Sequence, residues 1–120
     1  MTELDDILAG LTDQVDGSVA AAVGGMDGLI IEQAGGARAE MSAFVAELTN
    51  VLRAGNAAMN ERLSGGNLQE LIMSSEHYVA YVRILSDALY CVLLLDAGGN
   101  IGKARLYSGH TGKRILEALA

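Results

Sequence analysis

Residues 38–63 read RAEMSAFVAELTNVLRAGNAAMNERL, and this stretch decides the fold. Its apolar residues Met41, Phe44, Val45, Leu48, Val51, Leu52, Met59 and Leu63 recur at the spacing of one long amphipathic helix. With Gly55 they fall in an arc of roughly 120°, the width of a stripe that packs on a core. The opposite arc ought to carry solvating charge, yet it holds Ala43, Ala46, Asn50, Ala54 and Ala57, with Glu47 and Glu61 at its margins. Alanine is the best helix former, and an exposed alanine needs no partner. A small-residue face also lets another backbone come close, and a helix that meets its own copy antiparallel across a two-fold axis closes into a dimer without further design.

Working toward the N-terminus, Gly35-Gly36 breaks the chain before this helix. Ser18 to Val23 and Leu29 to Gln33 form two β-leaning runs around Gly24-Gly25-Met26-Asp27-Gly28, whose Asp-Gly pair favours positive φ, so the spacing predicts a hairpin. Thr2 with Asp5 three residues on is a capping signal, and Leu4, Ile7, Leu8, Leu11 and Val15 predict a helix over residues 3–15.

Toward the C-terminus, Gly65-Gly66-Asn67 is followed by three strand-like runs, Leu68 to Met73, Tyr78 to Leu85 and Leu89 to Leu95, with turns at 74–77 and 86–87. The last run is apolar on both faces and should lie mid-sheet, covered on both sides. The first, with Leu68, Leu71, Ile72 and Met73 apolar, would as an edge strand invite pairing with a second copy. After Asp96 to Asn100, a stripe at Ile101, Ala104, Ser108, Gly112, Ile115 and Leu119 predicts a closing helix, loosely written around Gly109 and Gly112. The expected fold is α+β, in the order α-β-β-α-β-β-β-α, with a five-stranded, mostly antiparallel sheet and helices on both faces. An expected dimer or partner interface comprises Ala43, Ala46, Glu47, Asn50, Ala54, Ala57, Glu61, Leu68, Leu71 and Met73.

At 120 residues the chain has the length of one ordinary domain, spanning residues 1–120. Its longest apolar runs, such as Cys91 to Leu95, fall far short of the roughly 20 residues that cross a bilayer. No direct membrane insertion is expected. The start Met1-Thr2-Glu3-Leu4-Asp5-Asp6 is acidic where a signal peptide is basic, which points to the cytoplasm. A formal charge of −7 with eight Lys and Arg argues against nucleic acid, and four Tyr, one Phe and no Trp leave no stacking platform for bases. A protein partner with a basic face fits better.

Chemistry is not legible. The single Cys91 cannot form an internal disulfide, and His77 and His110 stand alone, so neither a metal site nor any cofactor is expected. Gly112-Lys113 has Tyr107 where a phosphate-binding loop has its first glycine, and Arg114 in place of the hydroxyl. Cys91 in an apolar run reads as an inert thiol, His77 and His110 as surface residues, and Asp5-Asp6 as a first-turn acidic pair favoured by the helix dipole. Arg38, Arg53 and Arg62 lie near the long helix, where a charge-stabilising finger for a nucleotide hydrolase would be conceivable, but a solvated or intrachain-paired arginine is the simpler reading. No catalytic residue is assigned, and the chain is not expected to be an enzyme.

Taken in order, Leu4-x-x-Ile7-Leu8-x-x-Leu11 running into Gly17-Ser18-Val19-Ala20-Ala21-Ala22-Val23, the hairpin Met26-Asp27-Gly28-Leu29-Ile30-Ile31, the strand end Val92-Leu93-Leu94-Leu95, and Asn100-Ile101-Gly102-Lys103-Ala104-Arg105-Leu106 resemble the roadblock/dynein light chain domain. They span nearly the whole chain. Ser108-Gly109-His110-Thr111-Gly112 departs from the family, which keeps a firmer helix there. The resemblance implies homodimers or heterodimers, with long helices side by side and edge strands joined, and a role in regulating or scaffolding small Ras-like GTPases or as a dynein-light-chain-like adaptor. From a different class, α+β sheets of this kind also hold small molecules between sheet and helix, which would require a cavity lined by polar groups.

Overall fold

The computed structural model describes residues 3–120, with Arg38 and Ala39 described by their backbone alone. The cap expected at Thr2 lies outside the described residues. The elements are α1 (Glu3–Gln14), β1 (Ser18–Gly25), β2 (Ile30–Gly35), α2 (Arg38–Asn56), a π-helical continuation of α2 (Ala57–Arg62), β3 (Glu70–Ser74), β4 (Tyr78–Ile84), β5 (Leu89–Asp96) and α3 (Ile101–Leu119). They form the expected α+β architecture. One antiparallel sheet has the order β2-β1-β5-β4-β3.

The doubly apolar strand β5 is the middle strand, as its composition requires. Its alternate side chains enter two cores. Cys91, Leu93 and Leu95 meet α1 and α3 through Leu8, Leu11 and Ile115, whereas Tyr90 and Val92 meet α2 through Val45, Leu48 and Leu52. The alanines of β1 serve both sides: Ala21 faces the α1/α3 core, and Ala20 and Ala22 face α2. In the first hairpin, Gly28 takes φ 88° and the Leu29 N–H donates to Asp27 Oδ1 at 3.1 Å, the conformation an Asp-Gly pair favours.

The two sheet edges differ. In β2 the register shifts between Val23↔Glu32 and Gly24↔Ile30, leaving Ile31 as an extra residue in a bulge, a device that twists an edge away from further pairing. The β3 edge pairs with β4 without interruption from Glu70↔Arg83 to Ser74↔Val79. It is the edge left regular.

The long helix follows the sequence reading over its first half and departs from it over the second. Met41, Val45, Leu48 and Leu52 are buried, as their spacing demands. Val51, Met59 and Leu63, expected in the same stripe, are 40%, 43% and 71% exposed. Val51 sits at the margin of the arc. After Asn56 the helix widens to π geometry, which shifts the phase of the side chains that follow, and no residue of the π segment is buried. Leu119, also expected to face the core, is exposed, while Thr111 is buried without having been expected there.

Despite its glycines, α3 is one continuous helix from Ile101 to Leu119. Asn100 caps it, accepting from the Lys103 N–H at 2.9 Å. Gly112 has a packing reason: a Cβ there would lie 2.8 Å from Leu85 Cδ2.

Candidate protein-interaction surface

Tyr90 sets the position of α2 on the sheet. Its ring lies over Gly24, where an added Cβ would come within 2.7 Å of Cζ. Its hydroxyl donates to the Val45 carbonyl at 3.1 Å and lies 2.9 Å from Thr49 Oγ1. Burial raises the pKa of this phenol, keeping it a neutral donor. Near its C-terminal end α2 is held by Asn56, whose Oδ1 accepts from the Leu68 N–H at 2.7 Å, and by Arg53, which donates to the Met26 carbonyl.

Anchored in this way, α2 exposes Ala43, Ala46, Glu47, Asn50, Val51 and Ala54. Its two flanks are unlike. On the hairpin side, Ala46 lies against the β1–β2 turn, its Cα 3.9 Å from where a Cβ on Gly28 would sit. On the β3 side the helix stands clear of the sheet and leaves an open groove of about 480 Å³. Glu40, Met41 and Phe44 form one wall of that groove and Met73 to Ser75 with Tyr78 the other, over a floor of Val19, Ala80 and Leu94.

The residues expected at an interface are therefore partly regrouped. Ala43, Glu47, Asn50 and Ala54 share the outward face. Ala57 and Glu61 do not continue it: both line a cleft of about 210 Å³ with Met26 and Asp87 at the end of the sheet. Leu68, Leu71 and Met73 are half-buried against the α2 core rather than free on the edge. Ile72, 38% exposed, points to the other face of the sheet, the side of Glu70 and Tyr81. Spacing did not single out Val51 or Tyr78 as surface, since each reads as an ordinary core position, while Phe44, half-buried in the stripe where it was expected, also walls the groove. The groove is built from segments remote in sequence.

On the opposite face, Glu70 at the start of β3 ties the edge to α3. Arg105 pairs with it at 2.8 Å and the Tyr81 hydroxyl donates to it at 2.5 Å. The Arg105 hydrogen bond, then that of Tyr81, holds the Glu70 carboxyl below its ordinary pKa.

Among the described residues no group of three or more His, Cys, Asp and Glu side chains is placed to hold a metal ion, and no helix is long and apolar enough to cross a membrane. Burial pushes the Cys91 thiol up to about 12, the reverse of what a nucleophile requires. What this face offers chemically is small and apolar contact surface beside unpaired strand backbone.

No family model and no curated protein matches the sequence. Solved structures do match. A Roadblock/LC7 domain from Streptomyces avermitilis is 16% identical, covers 98% of both chains and superposes with a TM-score of 0.91. MglB in a tetrameric arrangement is 15% identical over 96% of this chain and 86% of that one, with a TM-score of 0.85. MglC from Myxococcus xanthus is 25% identical over 92% of this chain and 93% of that one, with a TM-score of 0.70. The order of elements, the five-stranded sheet with helices on both faces, and these superpositions agree: the chain has the roadblock/LC7 fold.

Proposed function

We propose that this chain is a single-domain, non-catalytic, cytoplasmic module that works as a dimer and regulates or scaffolds a small Ras-like GTPase. The observation that carries the reading is the outward face of α2, where Ala43, Ala46, Val51 and Ala54 leave Glu47 and Asn50 as the polar groups among them, next to a β3 edge that no bulge protects. Two copies meeting there would cover Val51. The fold supports the reading, and so does the tetrameric arrangement described for MglB, a protein of similar fold. Specificity for a Ras-like GTPase rests on the roadblock resemblance. Regulation would work by holding the GTPase's switch segments in place.

The test is to titrate the protein against each small Ras-like GTPase of the same genome, loaded with GDP or with a non-hydrolysable GTP analogue. The expected result is tighter binding to one nucleotide state of one GTPase, lost in Ala54→Glu. Equal, negligible binding to all of them removes the GTPase assignment.

One observation favours a second reading, a small-molecule-sensing domain: the groove beside α2 has the volume of a ligand site. Its polar groups, Glu40, Ser74, Ser75 and Tyr78, all lie at the exposed rim. A ligand would find few fixed partners inside.

A further inference from the structure

The chain carries a formal charge of −7, yet Lys103, Arg105, Lys113 and Arg114, four of its eight cations, share α3 with Glu117 as the helix's one carboxylate. Arg105 and Arg114 are separated by about two and a half helical turns, so they lie on opposite flanks of α3. Arg105 reaches Glu70 of β3, which leaves Arg114 on the flank against which α1 packs. The α1 side is acidic. Glu3, Asp6, Asp13 and Asp16 are exposed there, and Lys103 stands 3.8 Å from Asp16.

The β3 flank has the opposite character. α3 lies over β4 and β5, and β3 runs beside it with Ile72 exposed on this face, so the helix forms the wall of a shelf. Leu106, 54% exposed, stands on the crest of that wall next to Arg105. Gly109 lowers the wall: a Cβ there would come 3.8 Å from Cζ of Arg83, and its omission leaves the guanidinium open from above. Half-buried Arg83 donates one bond to the Tyr81 hydroxyl at 3.3 Å and has no ion-pair partner among the described residues. A guanidinium has five N–H donors, so most of its capacity is unused. Glu70, which could have neutralised it, is instead held by Arg105 at 2.8 Å and by Tyr81 at 2.5 Å.

We infer that this shelf docks an acidic segment of a protein partner, with one carboxylate on Arg83 beneath Gly109 and apolar side chains resting on Ile72 and Leu106. The charges set the sign of the partner, since two guanidiniums here face one carboxylate. The shape sets its class. A flat anionic surface such as a membrane laid across α3 would also meet the acids of α1, whereas a narrow segment along the β3 flank avoids them. A recessed guanidinium with free donors suits a projecting side chain that offers two oxygens. The shelf lies across the sheet from α2, so its occupant and a partner on α2 can be held together.

The test is fluorescence anisotropy of a short labelled peptide of alternating Glu and Leu, titrated with the full chain in low-salt buffer, where surface charge is least screened. Saturable binding is expected, with none for the same peptide bearing Lys in place of Glu. Arg83→Ala should weaken binding about tenfold, the loss of one charge-assisted contact. Gly109→Glu, which removes a poor helix former and offers Arg83 a carboxylate from within the chain, should weaken it at least as much. That second variant decides the matter even if Arg83→Ala folds poorly. Arg114→Ala, on the other flank, should change the affinity by less than about twofold. Failure of the acidic peptide to bind overturns the shelf. So does an equal loss in Arg114→Ala and Arg83→Ala, which would show diffuse charge attraction in place of a defined contact. Binding of phosphatidylserine vesicles that Arg83→Ala and Gly109→Glu abolish would overturn the protein assignment in favour of a lipid headgroup.

Discussion

The hydroxyl of Tyr90 lies 2.9 Å from Thr49 Oγ1, and both groups also reach the carbonyl of Val45, so two hydroxyl protons serve three contacts between β5 and one turn of α2. The orientation of the exposed α2 face depends on this buried triangle. Because Thr49 and Val45 retain each other, Tyr90→Phe should cost only about 0.5–1.5 kcal/mol in urea unfolding. Gly24→Ala, which drives a methyl into the ring, should cost about 1–3 kcal/mol. A neutral Gly24→Ala would mean that the ring is not fixed over β1.

The two sides of α2 should respond differently to truncation. Leu48→Ala or Leu52→Ala removes a fully buried side chain and should lower monomer stability by about 2–5 kcal/mol. Val51→Ala, measured in the Ala54→Glu background, should change it by less than about 0.5 kcal/mol, yet weaken dimerisation in an otherwise native chain. A large monomer penalty for Val51→Ala would place that side chain in the core.

Acid should loosen the link between β3 and α3. The folded-state pKa of Glu70 is depressed, so its stabilising contribution is complete above its ordinary value of 4.5 and is lost as the pH falls through the lower folded value. Wild type should therefore exceed Glu70→Gln in melting temperature at neutral pH, with the gap closing below pH 4.5. A gap that stays constant into acid would assign the effect of the substitution to packing.

Cys91 should be inert in the folded state. With its thiol pushed up to about 12 and its side chain fully enclosed, a thiol reagent at pH 8 should label it only after urea unfolding. Rapid labelling of the native protein would show that the α1/α3 core opens.

How much of this was legible in the sequence depended on the kind of information each feature needs. Met41, Val45, Leu48 and Leu52 announced the buried side of α2 because a regular helix repeats its phase, and β5 announced its central place because both of its faces are apolar. Met59 and Leu63 were misassigned because the winding changes after Asn56, and no single residue type marks a π turn. The bulge at Ile31 was hidden for a similar reason: it is a shift of register, not of composition. The outward alanines were recognised, but the groove beside them was not, since Val19, Phe44 and Tyr78 meet only through the tertiary fold.

The central claim, that the outward face of α2 joins two copies, is tested most directly by the solution mass of the purified protein, measured by light scattering for wild type and for Ala54→Glu. The account predicts twice the 12.5 kDa chain mass for wild type and a single chain for the variant, because the substitution buries like charges on either side of the axis. A monomer in both cases, or a dimer that the variant leaves intact, would contradict it.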